Sequence, residues 1–294
     1  MGPLDAVKLF TLMDRTIGSP EIIVGLIDGP IWLHHPDLAN QQIRTVSEEA
    51  GAACSRADSL ACKHGTFVAG ILSARRGSSA PAICPGCTLL VRPIFFEMIR
   101  ANGDMPSATP EELASAIIDS VNAGAHVVNL SAALEQASSR GERRLEEALN
   151  YTARRGVIVV AAAGNQGIVG SSVVTRHPTV ISVVACDLQG KPLSQSNLAR
   201  SIGRRGLSAP GDKITSLGTD GSPGSFGGTS AATPFVTGTI ALLWSEFPDA
   251  SADEMKLAVT RRSRPQRNTL VPPMLDAGVA YEFIASARNK RSVT

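Results

Sequence analysis

Five short apolar runs recur along the chain: "IIVGLID" (22–28), "TLLVRPIF" (88–95), "HVVNLS" (126–131), "GVIVVAAA" (156–163) and "TVISVVAC" (179–186). They are rich in Val and Ile and almost free of polar interruptions. Runs of that kind suit strands covered on both faces, because a strand with one wet face alternates apolar with polar. Between them the apolar spacing changes to a helical one. Thr109-Pro110-Glu111-Glu112 provides an N-cap, a proline at the first helical position and a capping-box glutamate ahead of "LASAIIDSVNAG". "ERRLEEALNYTARR" keeps the helical period up to Gly156, a natural C-cap. "AATPFVTGTIALLWSEF" stops before Pro248, and Ser251 to Glu254 forms a second capping box for the helix that follows. Beyond about Arg264 a proline-rich turn, "VPPML", precedes one last helix.

Strands alternating with helices predict an α/β protein. Its sheet should be mainly parallel and doubly wound, with helices on both faces and right-handed crossovers. Without a linker, repeat or break in composition, the expectation is a single domain over 1–294, with a core of about 22–262 and a C-terminal extension of about 263–294. Composition refines this picture: 43% of residues are hydrophobic but only 4% aromatic, so the core must be aliphatic. The net charge of +2 supplies no concentrated basic field, which excludes a dedicated nucleic-acid surface. Arginine pairs such as Arg75-Arg76, Arg154-Arg155 and Arg204-Arg205 mostly fall near predicted helix ends and read as solvated cations.

No run approaches the roughly 18 apolar residues of a membrane span. The opening "MGPLDAVKLFTLMDRT" lacks the basic start, long apolar stretch and small-residue cleavage site of an export signal. The expectation is therefore a cytoplasmic protein with no membrane partner; oligomeric state is not legible. Five cysteines are an odd number for a stapled framework. Cys84 and Cys87 form one C-x-x-C knuckle, short of what a zinc site of this kind uses, and Cys54 and Cys62 bracket a short polar loop. Two local disulfides or free thiols remain open, and Cys186 reads as a core residue.

Ser230 stands in "FGGTSAATPFVTG" (226–238), where a glycine-rich loop turns into an apolar helix. Two readings stand there: an N-terminal capping residue, or a nucleophile held at a helix N-terminus. Asp28 closes the run "IIVGLI", and a carboxylate at the end of an apolar strand is costly without a partner. His64, in "KHGTFVAGIL", opens a helical stretch, with Gly65 allowing close backbone approach. Asn165 follows "VVAAAG" and is either a turn former or an amide donor aimed at a developing oxyanion. His34, His35, His126 and His177 lack comparable settings and read as structural. Asp, His and Ser in this chain order match subtilisin, against His-Asp-Ser in chymotrypsin and Ser-Asp-His in α/β-hydrolases. G-T-S-A-A also lacks the second glycine of a G-x-S-x-G elbow, which weighs against an esterase.

From about Ile22 to Arg262 the chain resembles the subtilisin-like serine proteases. "GLIDGPIWLHHPDL" resembles the catalytic-Asp block, "HGTFVAGI" the histidine block, "VVAAAGNQG" the oxyanion-Asn block and "GGTSAATPFVTG" the nucleophile block. "GAHVVNLS" resembles the strand beside the substrate, and "LSAPGDKI" the segment leading to the serine loop. The resemblance implies a three-layer subtilisin-like fold and a triad of Asp28, His64 and Ser230, with Asn165 in the oxyanion hole. It also implies a peptide-binding cleft drawn from Asn129, Leu130, Ser131, Ala132, Ala133, Ala163, Gly164 and Thr229. Family members often hold calcium on loop carboxylates and carbonyls, but no ligand run here is specific enough to name. The chemistry itself requires no cofactor.

Three departures matter. Asp28 is followed by Gly29-Pro30 where the family usually has Ser or Thr and then Gly, and D-G-P resembles the cyanobactin-maturation proteases that trim ribosomal precursor peptides. Phe67 and Phe235 replace residues commonly His in the family, at positions that are not catalytic. Ala132 and Ala133 add side chains where the family has a glycine, which favours selective processing over broad digestion. The expected function is thus a serine endopeptidase cleaving a precursor peptide through an acyl-enzyme. Two rivals share the residues: a macrocyclase passing the acyl group to an amine, and a peptide-binding module without turnover.

Overall fold

The computed structural model describes residues 2–46, 53–95, 97, 108–131, 139–261 and 269–291. Seven parallel strands form its main sheet: β1 (Ile23–Asp28), β2 (Ile43–Thr45), β3 (Thr88–Pro93), β4 (Val127–Leu130), β5 (Ile158–Ala162), β6 (Val180–Cys186) and β7 (Leu207–Pro210). Their order is β2-β3-β1-β4-β5-β6-β7: from β1, third in the sheet, the chain runs to the edge at β2, returns through β3 and then adds β4 to β7 in turn on the other side. The five apolar runs of the sequence all became strands. Edge strand β2 escaped notice because it has three residues and two of them are exposed. A separate antiparallel hairpin joins β8 (Ile214–Leu217) to β9 (Pro223–Phe226).

The helices are α1 (Pro3–Ala6), α2 (Phe10–Met13), α3 (Leu60–Ser73), α4 (Pro110–Asn122), α5 (Ser139–Arg154), α6 (Val173–Arg176), α7 (Arg200–Arg205), α8 (Thr229–Glu246), α9 (Ala252–Thr260) and α10 (Ala277–Arg291). The capping boxes at Thr109–Glu112 and Ser251–Glu254 are both made, and Gly156 beyond α5 takes a φ of 69°. Side-chain alternation along each strand splits the core in two. Val24, Leu26, Leu89 and Val91 pack with Phe67, Ile71, Val236 and Ile240 of α3 and α8. On the other face, Ile27, Leu90 and Val128 pack with Leu113 and Ile117 of α4 and Leu145 and Leu149 of α5. Helices therefore cover both faces of an aliphatic sheet, as the alternation predicted. Phe67 and Phe235 are fully buried core residues.

Two expectations need correction, and one open alternative is resolved. His64 does not open its helix: α3 begins at Leu60, with the Ser59 hydroxyl accepting from Cys62 N, so His64 lies a full turn inside. Arg76 is no solvated helix end. Its guanidinium donates to the carbonyls of Met13, Thr16 and Ile83, tying the N-terminal segment to the loop after α3. Of the two cysteine pairs, Cys54 and Cys62 are bonded, whereas Cys84 and Cys87 are buried free thiols, as is Cys186.

Candidate active site

In a parallel sheet every strand delivers its carboxyl end to the same edge, where ligands of doubly wound folds bind. The pairing of Ile27 with Leu130 and of Leu130 with Ala161 brings Asp28, Ser131 and the segment 163–165 to that edge side by side. Helix α8 begins there too, and its first residues interlock with these strand ends. Thr229 N and Oγ1 both donate to Asn165 Oδ1, at 2.9 and 3.1 Å, while Gly164 N donates to Thr229 Oγ1. With its oxygen occupied, Asn165 keeps its Nδ2 donors for another acceptor, and the residue is exposed.

Asp28 is fully buried and His64 is 5% exposed. Their contact is short, 2.6 Å between Oδ1 and Nδ1. A carboxylate only accepts, so Nδ1 carries the hydrogen and Nε2 is left as a base. Gly29 N donates to the same Oδ1, at 2.6 Å, while Oδ2 is buried without a hydrogen-bond partner among the described residues. The imidazole is steadied edge-on by Phe226, whose ring rests on Phe67. What places His64 on Asp28 is backbone contact between α3 and the turn after β1. A Cβ on Gly29 would lie 2.1 Å from Ala61 O, and one on Gly65 would lie 2.4 Å from Pro30 O. The departure to Gly29 thus has a steric cause: α3 occupies the space of a side chain.

Ser230 is the second residue of α8, half-buried, behind Gly228 whose φ of 101° turns the chain into the helix. Its backbone N–H belongs to the first turn and has no carbonyl four residues back within the helix. Pro234 lacks an N–H, so the Ser230 carbonyl is released from the helical ladder as well. Ser131 faces both ends of the residue: its hydroxyl is 3.5 Å from Ser230 O, and its carbonyl is 3.5 Å from Ser230 Oγ. These are long contacts, and they leave the hydroxyl little restrained.

Ser131 apart, the expected cleft residues separate into three groups. Leu130, Ala163 and Gly164 line a cavity of about 420 Å³, joined by Gln166, Ile168 and Asn197, which sequence reading did not single out. Asn129 needs correction: it is fully buried, donating to Ser131 Oγ while accepting from Thr237 Oγ1, and so supports the cleft from behind. Thr229 is likewise buried and acts on Asn165 instead of forming a wall. Ala132 and Ala133 lie outside the described residues. The other histidines have structural partners: His34 meets Trp32 edge-on, Nδ1 of His35 accepts from Asp37 N, Nδ1 of His126 accepts from the distant Ile23 N, and His177 meets Thr179. As for a metal, the one cluster of three candidate side-chain ligands among the described residues is Cys54, Cys62 and Glu97. Its sulfurs are bonded to each other and calcium takes oxygen ligands, so that cluster does not fit calcium.

The subtilase family model, peptidase S8, matches residues 19–280. A thermostable alkaline protease of Halalkalibacterium halodurans is 31% identical over 67% of this chain and 51% of its own length. The chain spans about half the length of the first curated relatives it matches. Among solved structures, the protease domain of PatA, determined as a serine-to-alanine variant, is 30% identical with a TM-score of 0.81 over 92% of this chain and 97% of that one. PagA, a prenylagaramide maturation protease, is 29% identical with a TM-score of 0.79 over 94% and 98%. A family match that takes in every strand and the whole sheet edge permits one conclusion: the chain belongs to the subtilase family.

Proposed function

We propose that this chain is a serine endopeptidase that cleaves a precursor peptide. The observation that carries the reading is the buried 2.6 Å contact between Asp28 and His64, at the sheet edge where α8 presents Ser230. As Ser230 Oγ attacks a peptide carbonyl, His64 Nε2 takes its proton and later gives it to the leaving amine. Asp28 holds the imidazole in the tautomer that leaves Nε2 free and stabilises it once charged. The oxyanion meets Asn165 Nδ2 and the Ser230 backbone N–H, and the positive end of α8 adds to that field. Water then resolves the acyl-enzyme; no step needs a cofactor.

Two things support a precursor peptide as substrate. The neighbouring solved structures include maturation proteases for patellamide and prenylagaramide. The cavity beside Asn165 combines aliphatic walls such as Leu113, Leu130 and Val174 with the amides of Gln166 and Asn197, a shape for one side chain of an extended peptide. Among the described residues no helix is long and apolar enough to cross a membrane. The Cys54–Cys62 bond weighs against the cytoplasmic expectation, because reducing compartments seldom keep structural disulfides.

The test is intact-mass labelling with a fluorophosphonate, on the wild type and on Ser230→Ala. One adduct on the wild type and none on the variant is the expected result. A folded wild type that takes no adduct overturns the catalytic reading in favour of a binding module. Product masses from a cleaved peptide then separate hydrolysis, where the fragments together gain one water, from transfer to an amine, where they do not.

A further inference from the structure

Two grips hold the loop at Asn165: one comes from the helix that carries Ser230 and takes Asn165 itself, the other takes its chain neighbours. This second grip comes from Asn197, a residue 7% exposed in the segment after β6. Its Oδ1 accepts from Gln166 N and Ile168 N, at 3.1 and 3.2 Å, so that both amides flanking Gly167 converge on one oxygen. Its Nδ2 donates to Gln166 Oε1, and its backbone N–H donates to Gly164 O at 2.9 Å. Asn197 thereby bonds the residue before Asn165, the residue after it, and the one two positions further on.

The loop is shaped around this contact. Gly164 has a φ of 104°, and a Cβ there would meet Asn197 Nδ2 at 2.3 Å. Backbone bonds from Gly167 N to Gln195 O and from Leu198 N to Ile168 O lay the two segments side by side. They do not reach residues 164–166, where the Asn197 side chain and N–H take over. We propose that Asn197 is a positioning residue for the oxyanion donor: it sets the direction of Asn165 Nδ2 and, with Gln166, holds one end of the adjoining cavity. The inference rests on the catalytic reading of Ser230 above. An amide donor contributes fully only when aimed where charge develops, and a small misplacement is expensive.

The experiment is a double-mutant cycle read by the rate of fluorophosphonate labelling, because the phosphoryl oxygen of the probe needs the same donor as a peptide oxyanion. Asn165→Ala should slow the labelling step about 10²- to 10³-fold. Asn197→Ala should slow it about 10- to 100-fold, with the concentration for half-maximal rate unchanged. In the Asn165→Ala background, Asn197→Ala should change the rate less than about twofold, since the group it acts through is gone. If the alanine variant does not fold, the same cycle is run with Asn197→Asp, which keeps the acceptor for both amides and removes the Nδ2 donor. Labelled wild type with additive effects around the cycle overturns the positioning role alone. A folded wild type that is not labelled overturns the catalytic reading and this inference with it.

Discussion

Gly29 and Asn165 show how much of this site rests on single atoms. Asn165 is oriented through its oxygen, which accepts from both the N–H and the hydroxyl of Thr229. Asp28 is held by two short donors on one oxygen, from Gly29 N and His64 Nδ1. His126 illustrates the same economy away from the edge: half-buried against Trp244, its Nδ1 accepts from Ile23 N at the start of β1. Burial pushes its pKa below the ordinary histidine value of about 6.5. The unfolded chain then takes up a proton at a higher pH than the folded one. The stabilisation is complete above that ordinary value and is lost as pH falls through the lowered one. Urea midpoints measured from pH 7.5 down to 5 should fall for the wild type and fall less for His126→Gln. Equal slopes for the two proteins would refute this account.

Helix α3 and the turn after β1 are the elements whose fit decides the contact between Asp28 and His64. A helix normally stands off a strand end by the length of a side chain. Here Ala61 and Gly65 approach the backbone of residues 29 and 30 directly. That approach drops His64 onto Asp28 from the second turn of α3. Gly29→Ser, which restores the residue type usual in the family, therefore forces a methylene against Ala61 O. We expect a loss of about 1–3 kcal/mol in stability, the range for overpacking, measured by urea unfolding. Labelling of Ser230 should slow as well, as His64 is pushed off Asp28. Unchanged stability and labelling would show that α3 shifts freely, and that its close approach does not position the histidine.

For the molecule as a whole, long-range ties fasten segments that the sheet does not reach. Arg76 binds three carbonyls from two separate stretches, and Lys8 pairs with Asp276 to join the N-terminal segment to the start of α10. Cys54–Cys62 fastens the segment between β2 and α3, which lies against Ile31 through Cys54 N, to the front of α3, two residues from His64. Protein unfolded without reductant should take up three iodoacetamide groups, and five after reduction. In the folded state Cys186 should not react, its thiol being pushed up to about 12 by burial and by the neighbouring Asp187. Replacing Cys54 and Cys62 together by serine should cost up to about 2–3 kcal/mol, the chain-entropy value for so short a loop. Five adducts before reduction would remove the bond from this picture.

The sequence by itself determined five core strands alternating with helices, the aliphatic two-faced core and the approximate place of the catalytic candidates. Those features are written within a few residues of one another. Apolar runs mark β1 and β3 to β6, capping boxes mark α4 and α9, Asp28 and Ser230 stand at the end of an element, and Asn165 follows β5 by three residues. Only the tertiary structure decided the rest, because it depends on which distant segments meet. Nothing local marks Asn197 as the partner of Gly164 and Gln166, some thirty residues earlier. Nothing near Arg76 shows that Met13 and Thr16 await it, and nothing near Asn129 shows that Thr237 claims its oxygen. The reason for Gly29 is likewise invisible until α3 is laid against it. Periodicity and capping are short-range consequences of backbone geometry, whereas the aim of an amide or the clearance of a Cβ is set by chain crossings that a linear pattern does not contain.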